Sequence, residues 1–273
     1  MGIKDDLKPN KSKITRMTFS EYAHCPFPKG AVSMTAEMRE IVFSNYKRKL
    51  DAVIVREMNK FDYFLYYDRD KDIYICHLKV PSEVVPRLRY DVVIQFFTDS
   101  PTVSKSNSLD KYYVRFFSND PAYNFGFCHT HIQHDMFITD LYQKVSKEVI
   151  RKSADVKNPK DELGFVKSLT FAYLIMLNKS LFMKSMYTTY GQKYIPSVLK
   201  QSIMSSEDKL AQRTKLGKEI EDLKKSSKKG INKDMDPSDS RFSKSSSKSK
   251  NVSKTPVVGK VSLVKSVKKT KRI

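Results

Sequence analysis

Three of the chain's five histidines stand together at His129, His131 and His134, with Asp135 next in line. Read as part of a strand, this stretch puts His129 and His131 on one face, because successive side chains point to opposite sides. An H-x-H pair of that kind plus a third donor can complete a three-ligand metal site with an open position. His129, His131 and His134 are therefore the candidate metal ligands. Each cysteine also neighbours a histidine, in His24–Cys25, Cys76–His77 and Cys128–His129, so ligands could assemble from separate elements. No Cys-x-x-Cys or His-Glu-x-x-His spacing sharpens the case. Polar residues at a strand end, bonded to backbone or solvent, give the same pattern, and the expectation is no bound metal and no cofactor.

Catalysis by other groups has less support. A metal-dependent nuclease needs clustered carboxylates with a nearby lysine. Asp51 and Glu57 flank Ala-Val-Ile-Val-Arg, but no Glu-x-Lys follows, and Asp91 lacks a carboxylate partner two or three residues on. Charges at hairpin edges account for all three. Cys128 and His129 would face opposite ways on a strand, which separates a thiol from its base. Walker A, G-x-G-x-x-G and G-x-S-x-G patterns are absent. The reading is of a non-enzyme with no catalytic residues; a metal-dependent enzyme built on His129 and His131 ranks third among the alternatives.

Charge gives the strongest physical signal. The 273-residue chain carries a formal +21, unevenly spread. Residues 223–273 hold 16 Lys/Arg against 3 Asp, a balance of +13, whereas residues 1–222 hold 35 against 27, a balance of +8. Lysines of the basic end can release counterions condensed on a phosphate backbone, giving salt-sensitive binding without sequence preference. The candidate nucleic-acid contacts are Lys224, Lys225, Lys228, Lys229, Lys244, Lys248, Lys250, Lys268, Lys269, Lys271 and Arg272. With few arginines and one aromatic, Phe242, base readout and stacking are poorly supported there. A solvated linker that tethers the Val257–Val267 segment to a neighbour is the competing reading.

Three cysteines do not make a disulfide framework and suit synthesis in a reducing compartment. No signal peptide is read at the N-terminus, and Asp6 breaks the myristoylation pattern. The longest apolar run, Leu169–Leu177, is too short to span a bilayer.

The elements that would position these residues follow from periodicity. Residues 1–16 read as a flexible arm, and 17–31, with two prolines, as irregular. Thr35 can cap a helix over about 36–50 with Met38, Ile41, Val42, Tyr46 and Leu50 in one stripe. Strand signals follow at 52–56, 61–67, 73–80 and 90–98, the second and third joined by a charged turn. The stretch from Lys111 to Asp135 reads as two further strands joined at Ser118–Pro121, with Tyr123, Phe125, Phe127, His129 and His131 on one face. Residues 138–150 are a short helix or irregular. Asn158-Pro159 with Asp161 and Glu162 marks a helix start, and the helix should run to about Asn178 and pack on the sheet. Ser206–Lys225 is another helix, whose Leu216, Ile220 and Leu223 repeat too briefly for a coiled coil. Beyond it the Lys/Ser-rich sequence cannot bury enough apolar surface to order itself.

The expected fold is thus α+β. An antiparallel sheet of about six strands, covered by two or three helices, occupies 17–200; a helical connector fills 201–225, and 226–273 is a disordered basic tail with a short apolar/basic end. Tyr112–Phe127 (YYVRFFSNDPAYNFGF), followed by Asn158–Met176 (NPKDELGFVKSLTFAYLIM), resembles virion structural proteins of tailed bacteriophages over roughly 85–180. That resemblance implies a particle subunit at the head, neck or tail junction, synthesised in the host cytoplasm, and carries over no functional residue. The expected function is a non-enzymatic structural component of such a particle. Its partners would be other virion proteins and possibly packaged DNA. Arg115, set among aromatics, is a candidate buried or interface cation. The alternative is a sequence-independent nucleic-acid-binding accessory protein.

Overall fold

The computed structural model describes residues 6–25, 62–82, 85–151, 158, 160–190 and 194–231, with isolated residues between 37 and 52. The chain divides into Met1–Lys225, which holds the packed core, and Ser226–Ile273. The fold is α+β. A short helix, α1 (Phe19–Ala23), is fixed by a capping box in which Thr18 and Glu21 satisfy each other's backbone N–H groups. The sheet follows with β1 (Tyr63–Asp68), β2 (Ile73–Pro81) and β3 (Arg89–Phe97). After a helical turn, α2 (Pro101–Ser104), comes β4 (Tyr113–Ser118). Two short helices, α3 (Pro121–Asn124) and α4 (Cys128–Gln133), lead to a 3-10 turn at Thr139–Lys144 and to α5 (Lys147–Arg151). The long buried helix is α6 (Lys167–Asn178), after which β5 (Thr188–Tyr190), α7 (Tyr194–Ser202) and α8 (Ser206–Ile231) complete the order.

The strand order is β4-β3-β2-β1-β5. Short links make β1–β4 antiparallel, while β5 returns after α6 and pairs parallel to β1. The β1–β2 turn is set by Asp68, whose Oδ1 accepts from the N–H groups of Asp70 and Lys71 at 3.2 and 3.3 Å. Register divides the sheet's side chains into two faces. Leu65, Cys76, Leu78, Val92, Ile94, Phe96, Val114 and Phe116 share the apolar face, which α1 and α6 cover. Phe19 meets Phe116 at 5.2 Å and Phe96 at 6.3 Å between ring centroids. The other face mixes Val93 and Phe117 with Asp68, His77, Asp91, Gln95 and Arg115, so its polar groups need partners.

Four of the six expected strands are present within a residue or two of their expected ends, and β5 was not foreseen. Of the expected 52–56 strand, Ala52 is helical and the rest lies outside the described residues. The described residues of the expected 36–50 helix are helical, but Met38 and Ile41 are 53% and 61% exposed, so this part of the stripe does not cover the sheet. The N-terminal segment, expected as a mobile arm, is tied down from Asp6. Arg151 Nε donates to Asp6 Oδ2 at 2.8 Å, Asn10 N to the Gln133 carbonyl and Thr15 N to the His134 carbonyl. This strap and residues 136–138 also cover the outer edge of β4: Val114 N donates to Met17 O and Phe116 N to Met136 O. An edge dressed in this way does not template a foreign strand.

The largest correction concerns the second expected strand of the 111–135 pair, which is helical. Asp120 Oδ1 accepts from Ala122 N at 3.0 Å and Pro121 opens the first turn, so the Ser118–Pro121 stretch is a helix cap rather than a hairpin turn. Tyr123, Phe127 and His131 are four apart, a spacing that keeps one face in a helix as well as in a strand. Phe127 N donates to Tyr123 O and His131 N to Phe127 O, both at 2.8 Å.

The helix expected from Asn158 starts only at Lys167. Asn158 is buried and braces a loop: Oδ1 accepts from Glu162 N at 3.1 Å, while Nδ2 donates to Glu162 O at 2.9 Å and Thr130 Oγ1 at 3.0 Å. Asp161, at φ 49°, interrupts any helical path. In α8, Leu216 and Ile220 pack on Val85, Leu88 and Tyr90, whereas Leu223 is 70% exposed. The expected disordered tail lies outside the described residues from 232 onward.

Candidate functional site

The histidine cluster disperses. On α4 the two-residue spacing turns His129 and His131 about 200° apart. His129 Nδ1 bonds the Ile150 carbonyl at 2.9 Å, tying α4 to α5. His134 Nδ1 pairs with Thr15 Oγ1 at 2.9 Å. Its pKa is held below the usual value by burial and by Lys13, against an opposing pull from Asp161. His131 is wholly buried between two tyrosines, with Nε2 3.0 Å from Tyr22 Oη and Nδ1 3.2 Å from Tyr123 Oη. Because Tyr123 Oη donates to the Phe116 carbonyl, it accepts from Nδ1–H, and Tyr22 donates to Nε2. Burial, helped by His134, pushes His131 down to about 3, so its ring stays neutral. The same burial raises both tyrosine hydroxyls well above their ordinary range. These three histidines therefore bond separate partners, and no group of three or more His, Cys, Asp or Glu among the described residues could hold a metal ion.

The cysteine–histidine pairs do not converge either. Cys76 and Cys128 are fully buried free thiols whose pKa values burial raises. Cys25 is partly exposed and also raised, by burial and then by Glu21. Asp51 and Glu57 lie outside the described residues.

Asp91 has the partner that its own sequence neighbourhood did not offer. Its Oδ1 receives His77 Nε2–H at 2.9 Å across the β2–β3 pair, and its Oδ2 receives Asn119 Nδ2 at 2.8 Å. Asn119 Oδ1 accepts in turn from Asp91 N at 2.8 Å, and Nδ2 also reaches the Met204 carbonyl at 3.1 Å. Desolvation pushes the Asp91 carboxyl up. Bonding and charge from His77, the Asn119 bond and the Lys209 charge outweigh it and hold the pKa below the usual range. Lys209, 7% exposed, donates to Gln212 Oε1 at 3.1 Å. Its pKa is lowered by burial and Lys79, although Asp91 pulls the other way. A histidine oriented by a carboxylate is half of an acid–base relay. Here the second nitrogen, Nδ1, is fully buried and has no hydrogen-bond partner among the described residues. The cluster fastens α8 and the α7–α8 link to the sheet. The β2–β3 register sets His77 beside Asp91, and the β3–β4 register brings Asn119 to it, so sequence spacing could not show the cluster.

Arg115, expected to be a buried or interface cation, is partly buried and bonds within the chain. Nη2 donates to Asp135 Oδ2 at 2.8 Å and Nε to the Asp135 carbonyl at 3.1 Å, with the guanidinium 4.2 Å above the Phe97 ring. Arg16, carried on the strap, reaches the same carboxylate oxygen at 2.7 Å.

Of the candidate nucleic-acid contacts, Lys224 and Lys225 lie exposed near the end of α8, and Lys225 Nζ is 3.9 Å from Asp222. Lys228 and Lys229 continue the same helix. Lys244, Lys248, Lys250, Lys268, Lys269, Lys271 and Arg272 lie outside the described residues. No described helix is long and apolar enough to cross a membrane. No family model, curated protein or solved structure matches this chain.

Proposed function

We propose that this chain is a non-enzymatic structural component of a tailed-phage particle. Its folded body docks among other virion subunits, and its basic C-terminal region reaches a neighbour or the packaged nucleic acid. The observation that carries the reading is the charge distribution, 16 Lys/Arg against 3 Asp over residues 223–273. Internal use of the chemically capable side chains supports it: His131 and Asp91 serve buried bonds that hold elements together. The resemblance read in the sequence over roughly 85–180 suggests the proposed setting.

The test of the charged region is a salt titration of duplex binding by the full chain and by a chain ending at Lys225. The full chain should bind duplex with an affinity that falls steeply as salt rises. The shortened chain should bind markedly more weakly and with a shallower slope. Equal affinity and slope for both would remove the carrying observation. A nucleic-acid-binding accessory protein would give the same titration, but would be recovered from infected cells and not from purified particles.

A further inference from the structure

We infer that Arg16 and Arg115 form a phosphate-binding site on the folded body, where the backbone of a nucleic acid rests against it. This rests on the polyanion reading above and adds a contact remote in sequence from the basic C-terminal region. Both guanidinium groups donate to one oxygen, Asp135 Oδ2, at 2.7 and 2.8 Å. Two positive charges facing one carboxylate leave the cluster with a surplus of one. Arg16 Nε and Nη2 and Arg115 Nη1 have no further partner among the described residues. The side chains remain 35% and 24% exposed, so those donors can meet a ligand.

Both groups lie over the same ring, with Arg115 4.2 Å and Arg16 5.2 Å from the Phe97 centroid. Ring contact and the shared carboxylate hold the two planar forks in place before any ligand arrives, so little side-chain freedom remains to be lost. Guanidinium forks match the oxygens of a phosphate, and they shed water more readily than an ammonium does. The strap bearing Arg16 also carries Lys11 and Lys13, which raise the local positive potential. Asp135 positions the arginines; the phosphate meets the N–H groups that Asp135 leaves unbonded.

The experiment uses the full chain and a short labelled duplex, read by fluorescence anisotropy over a range of salt. Arg16→Gln should weaken binding about tenfold, the scale of one charge-assisted contact. It should also flatten the slope of log K against log salt by about 0.9, the share of one phosphate. Asp135→Asn should tighten binding, because the same arginines then face no competing charge. Asn suits the φ of 57° at this position, and a gain in affinity cannot come from unfolding. Unchanged affinity and slope for Arg16→Gln, with Asp135→Asn no tighter, would overturn the site while leaving the C-terminal contact standing. Equal weakening toward polyglutamate would overturn the phosphate assignment in favour of an acidic protein. Failure of the unaltered chain to bind duplex at all would remove the polyanion reading together with the site.

Discussion

His131 shows how a side chain suited to chemistry can be committed to architecture. It joins α1 through Tyr22 to α3 through Tyr123, and its depressed pKa links folding to pH. The unfolded ring titrates near 6.5, whereas the native ring takes a proton only at about 3. Between those values the unfolded chain binds a proton that the native ring does not. Stability is therefore full above the unfolded value and falls as pH drops through this window, by at most about 1.4 kcal/mol per pH unit. His134, also depressed by burial, adds in the same direction. Replacing His131 by Gln leaves a buried tyrosine hydroxyl badly placed, at a cost of roughly 1–3 kcal/mol near neutral pH. Denaturant midpoints should show the variant less stable there but less pH-dependent between about pH 6.5 and 5. Parallel slopes for variant and parent would contradict the neutral-ring assignment.

The Asp91 cluster yields a contrasting pair of substitutions at the same scale. Asp91→Ala strands His77 Nε2–H and the Asn119 amide in a buried place and should cost about 3 kcal/mol or more. Lys209→Met removes a buried ammonium while keeping its volume. It should change stability by less than about 1 kcal/mol or raise it, because burying an ion carries its own desolvation cost. Chemical denaturation of the two variants checks both, and a larger loss for Lys209→Met than for Asp91→Ala would reverse the account of which charge anchors α8.

At the scale of elements, Asn158 is the chief side-chain brace of the loop that precedes α6. Asn158→Ala removes two bonds to Glu162 and one to Thr130, and should lower the unfolding free energy by roughly 1–3 kcal/mol. An unchanged denaturant midpoint would mean that the loop is held by other contacts. This residue also shows what could be read in the sequence. Asn158-Pro159 was recognisable as a capping signal, but whether it caps a helix or braces a loop depended on Thr130, 28 positions away. Strands β1–β4 were legible because β-branched and aromatic runs were bounded by turn residues, such as Asp68–Asp72. The α3–α4 region was misread because Tyr123, Phe127 and His131 keep one face at either period, and the deciding signal was the cap at Asp120. β5 is three residues long and pairs with a strand far away in sequence, so no local pattern announced it. The candidate site was less legible than the fold. His77–Asp91 and Arg16–Arg115–Asp135 exist only through strand register and the path of the strap.

At the scale of the whole molecule, the α+β body uses His77, His129, His131, Asp91 and its strap to hold elements together, while the excess of positive charge concentrates toward the C-terminus. That division suits the proposed subunit, which would dock through its body and meet a polyanion through its basic end. The measurement that tests the proposed particle role most directly is quantitative mass spectrometry of particles purified from the lysate in which this chain is made, before and after a high-salt wash. The account predicts this chain at a constant copy number per particle, retained through the wash by its docked body. Its absence from particles, or its presence only as a trace that the wash removes, would contradict a structural role.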